Sequence, residues 1–196
     1  MSGDLESIDY ALQYQLMKSM MRPFGDSNDI KNLALEERCI DLTTSCVLNA
    51  TTEFGNLQNV IISRKGDDAL VSDVDQQLIL KFFFKEPVSI KHITFRADNK
   101  PSISDVSAPR IIKMYANRPE FDFSEADSVE PDQVIELKPQ EEASVDKVNL
   151  RGTKFAHVKS MQVFVVENMD DSLQTFINEI GIWGNVHPNY RSDHLY

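Results

Sequence analysis

Short apolar runs separated by turn residues occupy the chain from about residue 39 onward. The clearest run covers residues 77–84, where both alternating sets of side chains are largely apolar. Such a run is typical of a central strand that is covered on both faces. Further short strands are predicted at residues 40–42, 46–49, 60–62, 90–96, 109–116, 134–137, 155–158, 161–166 and 176–183.

The arrangement of these runs predicts an all-β fold. Proline cannot donate to a strand ladder, so we expect Glu86 and Pro87 to end the strand that precedes them. In the strand that follows, Ile93 and Phe95 are expected to face inward. No helix long enough for repeated crossovers between parallel strands is predicted between the runs. The pattern therefore indicates an antiparallel β-sandwich over residues 39–184.

Residues 109–126 begin with the pattern of a strand and end as an acidic segment. They begin as a strand in which Ile112 and Met114 share one face. The sequence Asn-Arg-Pro at residues 117–119 is expected to stop this strand, because proline also restricts the residue before it. The chain then becomes strongly acidic and carries Phe121 and Phe123 among the acids. We expect the two rings to anchor this excursion to the fold.

Both ends of the chain look different from the sandwich. Residues 1–38 are predicted to form a helical N-terminal extension, which either packs on the body of the protein or becomes ordered on a partner. A short second helix is predicted over residues 30–37, and the tail, residues 185–196, is predicted to be extended or mobile. The apolar positions that recur at helical spacing are Leu5, Ile8, Leu12, Leu16 and Met20.

Neither the cysteines nor the tail histidines form a recognisable site. Cys39 and Cys46 have a spacing that fits neither a redox pair nor a zinc site, so we expect buried or half-exposed thiols in a reducing compartment. His187 and His194 lie seven residues apart in the tail with no cysteine or dense carboxylate cluster beside them, and no metal is expected. The first residues lack the features of a secretory signal. The sequence contains no apolar run of about 18 residues, so no membrane span is predicted.

The charge is unevenly distributed along the chain. The formal net charge is −11, which argues against a nucleic-acid partner. Residues 119–146 carry ten acids and one lysine, whereas the flanking residues 77–118 and 147–166 are basic. The acids either pair with the basic strands or form a docking surface for a protein partner. The candidate partner-binding residues are Glu120, Asp122, Glu125, Asp127, Glu130 and Asp132.

Catalytic chemistry is not expected. The sequence has no nucleophile elbow, zinc-protease motif, phosphate-binding loop or C-x-x-C pair, so we expect neither an enzyme nor a bound cofactor. His92 is predicted to lie on the outward face of a strand. His157 is predicted to be a half-buried histidine rather than a general base.

Four stretches together resemble the PITH domain, the proteasome-interacting C-terminal domain of a thioredoxin-like protein. They are residues 40–49, 72–78, 117–126 and 175–184, and the most specific is Asn-x-Pro followed by Asp-Phe-x-Glu-Ala. The resemblance implies a jelly-roll sandwich of the galactose-binding type. It also implies a non-enzymatic interaction module of the cytoplasm or nucleus, with the 26S proteasome as the expected partner. The family's thioredoxin domain and its redox cysteines are absent from this sequence.

Two alternative functions remain open at this point. One is binding of carbohydrate or another small ligand by loops at one end of the sandwich. Trp183, the single tryptophan, is predicted to lie in the last strand rather than in such a loop. The other is a structural role in a larger assembly, held by the N-terminal helix.

Overall fold

A computed structural model of the chain describes residues 30–63, 68–126, 128–139 and 145–187. These residues form strands, turns and one π-helical turn at Asn59–Ser63. Within them, no helix is long and apolar enough to cross a membrane. The strands are β1 (Lys31–Asn32), β2 (Cys46–Leu48), β3 (Ala50–Thr51), β4 (Leu70–Ser72), β5 (Leu78–Arg96), β6 (Val106–Ser107), β7 (Pro109–Ala116), β8 (Gln133–Glu136), β9 (Asp146–Asn149), β10 (Val158–Asn168), β11 (Gln174–Ile177) and β12 (Glu179–Val186).

The strands form two sheets around one main core. The larger sheet has the order β1-β12-β5-β10-β7-β8, with β2 and β9 also paired to β5. The smaller sheet has the order β3-β4-β11-β6. Described pairs are antiparallel except that of β6 with β11. The core contains buried side chains from both sheets, such as Phe82, Ile93 and Ile177, so the predicted all-β sandwich is confirmed.

Strand β5 organises the larger sheet because four other strands pair with it. The predicted break at Glu86 and Pro87 is wrong, since β5 runs through both residues. Its register with β10 shifts between Val158 and Ser160, which leaves Pro87 opposite an irregular stretch of the ladder. A proline is tolerated there because no regular ladder bond requires its missing N–H.

The start of the described chain also differs from the expectation. The helix predicted over residues 30–37 is wrong: Lys31 and Asn32 pair with Gly184 and Trp183 in β12. A turn follows, stabilised by the Asn32 Oδ1 atom, which accepts hydrogen bonds from two backbone N–H groups. Leu33 is then fully buried in the main core. The helix predicted near the N-terminus falls on residues outside those described, as does the tail beyond residue 187.

Several short elements were placed incorrectly from the sequence. The apolar run at residues 60–62 belongs to the π-helical turn, and residues 152–157 form turns rather than a strand. The predicted closing strand is divided at Asn178 into β11 and β12. Strands β4, β6 and β9 were missed because runs of two to four residues show too little alternation to be recognised.

Candidate functional site

The predicted stop at residues 117–119 is confirmed by the geometry of Asn117. This residue follows β7 and adopts a left-handed conformation with φ of 57°, which asparagine tolerates better than most residues. Its amide Nδ2 donates to the His157 carbonyl at 2.9 Å, and its Oδ1 accepts from the Lys159 N–H at 2.7 Å. The strand end is thereby tied to the beginning of β10, and the chain is turned out of the sheet.

The excursion that follows, residues 118–132, is here called the acidic cap. Phe121 is fully buried, with its ring centroid 4.1 Å from that of Tyr115 and 6.3 Å from that of Phe164. Phe123 is 37% exposed and packs edge-on against Phe164 at 5.9 Å. Tyr115, Phe121 and Phe164 form, with Ile79, a small core on the outer face of the larger sheet that is separate from the main core. The predicted anchoring by both rings is confirmed.

One acid of the cap serves the fold directly. The half-buried Asp132 accepts a hydrogen bond from the Ala116 N–H at 2.9 Å through Oδ2. Its Oδ1 atom lies 3.2 Å from the ammonium group of Lys154. Asp132 therefore fastens the cap to the end of β7. For this residue, the prediction that acids of the segment pair with nearby bases holds.

The other acids of the cap are arranged differently. Asp122 accepts hydrogen bonds from the Ser124 N–H and hydroxyl, which lower the pKa of its carboxyl group. Glu120, Asp122 and Glu130 are exposed, and Glu125 is half-buried. Asp127 lies outside the described residues. The cap therefore presents at least three carboxylates to solvent on a short segment held by a buried ring.

Two polar atoms lie buried near the base of the cap. Neither the Tyr115 hydroxyl nor the Gln162 Nε2 atom has a hydrogen-bond partner among the described residues. Tyr115 and Gln162 are opposite each other on β7 and β10, and burial raises the pKa of the tyrosine. Gln162 Oε1, in contrast, accepts from the Arg118 N–H at 3.2 Å. The cap is held by ring packing and by hydrogen bonds from main-chain N–H groups to the side chains of Asp132 and Gln162.

A groove that sequence reasoning missed lies where β7 and β8 pair. Its volume is about 660 Å³, and both charges and apolar groups line it. Arg110 forms ion pairs there with Glu136, at 3.8 Å, and with Glu167. No local signal could reveal the groove, because its walls come from strands distant in sequence. Within the groove, the guanidinium group of Arg110 is paired with the carboxylates of Glu136 and Glu167.

The histidines are placed in two separate regions. His92 lies half-buried on the outer face of β5, and its ring stacks on that of Trp183 with the centroids 5.5 Å apart. Its pKa is lowered, mainly by burial and to a smaller extent by the positive charge of Lys147. The prediction of a half-buried His157 is wrong: it is exposed in a turn, with its ring 4.7 Å from that of His187. In the part of the chain that the structure describes, no group of three potential ligands could hold a metal ion.

The family model described as "PITH domain" matches residues 29–194. The chain belongs to the PITH domain family. Over 162 residues it is 32% identical to Thioredoxin-like protein 1 of Schizosaccharomyces pombe, a match that covers 82% of this chain and 54% of that protein. This PITH domain chain therefore spans about half the length of that curated relative.

Solved structures show that the fold is of the galactose-binding type. The CBM32-1 and CBM32-2 domains of Clostridium perfringens ZmpB match with a TM-score of 0.54 and 11% identity, over 88% of this chain and 39% of that one. CpGH89CBM32-5 from the same organism, in complex with GalNAc-beta-1,3-galactose, matches with a TM-score of 0.51 and 7% identity, over 70% and 92%. At this level of identity the likeness concerns the fold alone.

The alternative of carbohydrate binding stays a prediction. In this PITH domain Trp183 lies within β12, as expected, and is half-buried. Its Nε1 atom donates to the Thr94 hydroxyl at 3.4 Å, while its ring stacks on His92. The tryptophan thus lies on a sheet face rather than in a loop at the end of the sandwich. The alternative of a structural role held by the N-terminal helix rests on residues outside those described.

The two cysteines of the PITH domain are free thiols in different environments. Cys39 is buried, and its Sγ donates to the Leu33 carbonyl at 3.3 Å. Burial is the main reason that the pKa of Cys39 is raised to about 12. Cys46 is exposed at the start of β2. The expectation of buried or half-exposed thiols is confirmed for Cys39, whereas Cys46 is more exposed to solvent than expected.

This difference predicts selective alkylation. A raised pKa keeps the Cys39 thiol protonated at pH 8, and the thiolate is the reactive form, so iodoacetamide should modify Cys46 alone in the folded protein. Both cysteines should react in about 6 M guanidinium chloride, where the chain is unfolded. Mass spectrometry of the labelled peptides checks the result. Equal labelling of both residues under native conditions would contradict the burial of Cys39.

Proposed function

We propose that this PITH domain is a non-enzymatic protein-interaction module that docks on the 26S proteasome through its acidic cap. The observation that carries the proposal is the pairing of exposed carboxylates, Glu120, Asp122 and Glu130, with the buried anchor Phe121. A buried anchor holds charges in place before binding, so less conformational entropy is lost on association. Membership of the PITH domain family supports the choice of the proteasome as the partner.

The chemistry of the cap indicates the kind of surface it recognises. Its exposed carboxylates fit a basic patch on the partner, and opposite charges steer two proteins together and set their orientation. Such contacts weaken as salt rises, because exposed charges are screened beyond about 8 Å at physiological ionic strength. The proposal that the domain has no catalytic activity rests on the sequence, which lacks the motifs of nucleophilic and metal-assisted catalysis.

Charge reversal on the cap tests the proposal. The variant Glu120→Lys/Glu130→Lys should reduce co-purification of proteasome subunits about tenfold at low salt, since rim charges contribute roughly 0.5–1 kcal/mol each. Asp122 is left unchanged because its carboxylate stabilises its own turn. Quantitative mass spectrometry of tagged protein recovered from cells measures the loss, at low and at physiological salt.

The matched control is Glu53→Lys/Asp73→Lys, which makes the same charge change at two exposed acids outside the cap. It should leave proteasome recovery unchanged. Equal losses in both variants would show that net charge, not the cap, governs binding. Failure of the wild-type protein to recover any proteasome subunit would reject the proteasome as the partner.

A further inference from the structure

Two large apolar side chains are exposed on neighbouring loops at one end of the sandwich. Val74 is 74% exposed and Leu173 is 57% exposed, more than any other large apolar side chain in the described part of the chain. Gln174 Nε2 donates to the carbonyls of Ser72 and Asp73, at 2.7 and 3.1 Å, and so joins the two loops. The antiparallel register of β11 on β4, counted back from the ladder, also brings Leu173 level with Val74. We call Val74 and Leu173 the apolar tip.

Two asparagines hold the loops of the tip in place. Asn49 Oδ1 accepts from the Val74 N–H at 3.1 Å, and its Nδ2 donates to Asp75 Oδ1 at 2.8 Å. On the other loop, the buried Asn168 uses both ends of its amide on Ser172: its Oδ1 accepts from the N–H at 2.9 Å, and its Nδ2 donates to the carbonyl at 2.8 Å. The tip is therefore fixed before binding, so little conformational entropy would be lost on association.

Exposed aspartates surround the tip on three loops. The Asp105 carbonyl accepts from the Gln174 N–H at 3.1 Å, which brings the loop before β6 to the same place. Residues 70–78, 102–108 and 168–175, which build this end of the sandwich, contain no lysine, arginine or histidine. The exposed acids, here called the aspartate rim, are Asp73, Asp75, Asp105, Asp170 and Asp171.

Nearby bases leave the rim negatively charged. Arg110 follows the second of these segments closely, but it is paired with Glu136 and Glu167. Lys100 and Lys138 are exposed on adjoining segments. Two lysines against five aspartates leave an excess of negative charge even if both lysines are counted. Among the described residues, no rim carboxylate forms an ion pair.

We propose that the apolar tip and the aspartate rim bind a basic amphipathic helix of a second protein partner. A narrow apolar stripe on that helix would cover Val74 and Leu173. Because the rim has acids on both loops of the tip, lysines or arginines on both flanks of the stripe would face opposite charges. An anionic bilayer is disfavoured by the aspartates, and a second copy of this acidic chain is repelled.

This surface shares no residue with the acidic cap. Asp73 is a control position in the proteasome test, so the two surfaces are assigned to different partners. The cap presents carboxylates around a buried ring, whereas the tip presents exposed apolar side chains within a ring of acids. Loss of either interaction is therefore expected to leave the other intact.

A direct binding measurement tests the tip. The probe is a fluorescein-labelled amphipathic helix of leucine, lysine and alanine, about 18 residues long, which is enough for a stable helix. It is titrated with the full chain and followed by fluorescence anisotropy. Binding at about 50 mM NaCl should weaken at about 300 mM, because exposed charges are screened. A scrambled peptide of the same composition should bind at least about fivefold more weakly, because its leucines no longer share one face.

Variants of the tip and the rim should weaken binding of the helix while the fold is retained. Val74→Ser/Leu173→Ser removes the apolar contact and should cost at least about tenfold in affinity. Asp73→Asn/Asp171→Asn should cost about fivefold through the loss of two charges. Asparagine suits the left-handed conformation of Asp171, whose φ is 53°. The thermal midpoints of both variants should stay close to that of wild type, because all four side chains are exposed.

Two matched controls separate the tip from the rest of the surface. Val134→Ser/Val145→Ser makes the same apolar change at valines that are 55% and 49% exposed outside the tip. Glu120→Gln/Glu130→Gln removes two charges from the acidic cap. Each control should bind the helix within about twofold of wild type. Failure of the proteasome proposal would leave this result unchanged.

Contrary outcomes overturn the proposal. Absence of helix binding to the wild-type chain at low salt would remove the site. An equal loss in the valine control would detach binding from the tip, and an equal loss in the cap variant would reduce it to net charge. Binding to vesicles with about 30% phosphatidylserine that requires Val74 and Leu173 would replace the helix by a membrane surface. A dimer in sedimentation equilibrium that Val74→Ser/Leu173→Ser abolishes would assign the tip to a second copy.

Discussion

Gly184→Ala is expected to destabilise the sandwich by about 3 kcal/mol or more, through overpacking of a closely paired strand. A Cβ atom at this position would lie 2.0 Å from the Ser89 carbonyl oxygen and 3.0 Å from the Ile90 Cα atom. Both neighbours are backbone atoms of β5, so they cannot move aside as a flexible side chain could. Gly184 also lies where the register of β12 on β5 shifts.

Chemical denaturation followed by Trp183 fluorescence measures this effect, with the soluble yield as a second readout. Gly152→Ala is the matched control, because a Cβ atom there has no neighbour within 4 Å. It should change the free energy of unfolding by no more than about 0.5 kcal/mol. Similar midpoints for the two variants would show that β12 and β5 can separate without loss of stability.

Phe121→Ala is expected to lower the free energy of unfolding by about 3–5 kcal/mol, the usual range for removal of a buried phenylalanine ring. The ring is fully buried against Tyr115 and Phe164 and forms the centre of the small core beneath the cap. Its loss should also loosen the cap locally. Hydrogen exchange of the backbone amides in residues 118–126 should therefore become faster than exchange in β10.

Phe123→Ala offers a close comparison within the same segment. This ring is 37% exposed and lies in a T-shaped arrangement with Phe164, so we expect a loss of about 1 kcal/mol. A similar loss for both variants would mean that the cap is anchored by its backbone instead of by Phe121. If the cap is the docking surface, Phe121→Ala should also weaken proteasome recovery more than Phe123→Ala does.

Strong local patterns were read correctly from the sequence. The alternation of Ile112 and Met114 with their neighbours predicted a strand where β7 lies, and the Asn-Arg-Pro sequence predicted where that strand ends. The two rings after the stop were expected to anchor the chain, and both do. These predictions succeeded because each depends on properties of neighbouring residues: side-chain alternation, proline chemistry and the burial of aromatic rings.

Predictions failed where distant partners decide the local structure. Strand β1 has two residues and forms only because β12 offers a free edge next to it. Pro87 stays within β5 because the irregular register with β10 accommodates it. His157 is exposed because residues 152–157 turn instead of pairing. None of these outcomes has a signal in the adjacent sequence, since they depend on hydrogen bonds with segments tens of residues away.

The sequence by itself determined the all-β class, the family signature and the acidic cap with its buried ring, since each of these features depends on short patterns of neighbouring residues. Only the tertiary structure decided which acids remain exposed, because Asp132 is drawn into the fold by Ala116 and Lys154. Such contacts between residues that are distant in sequence form only when antiparallel strands bring their ends together.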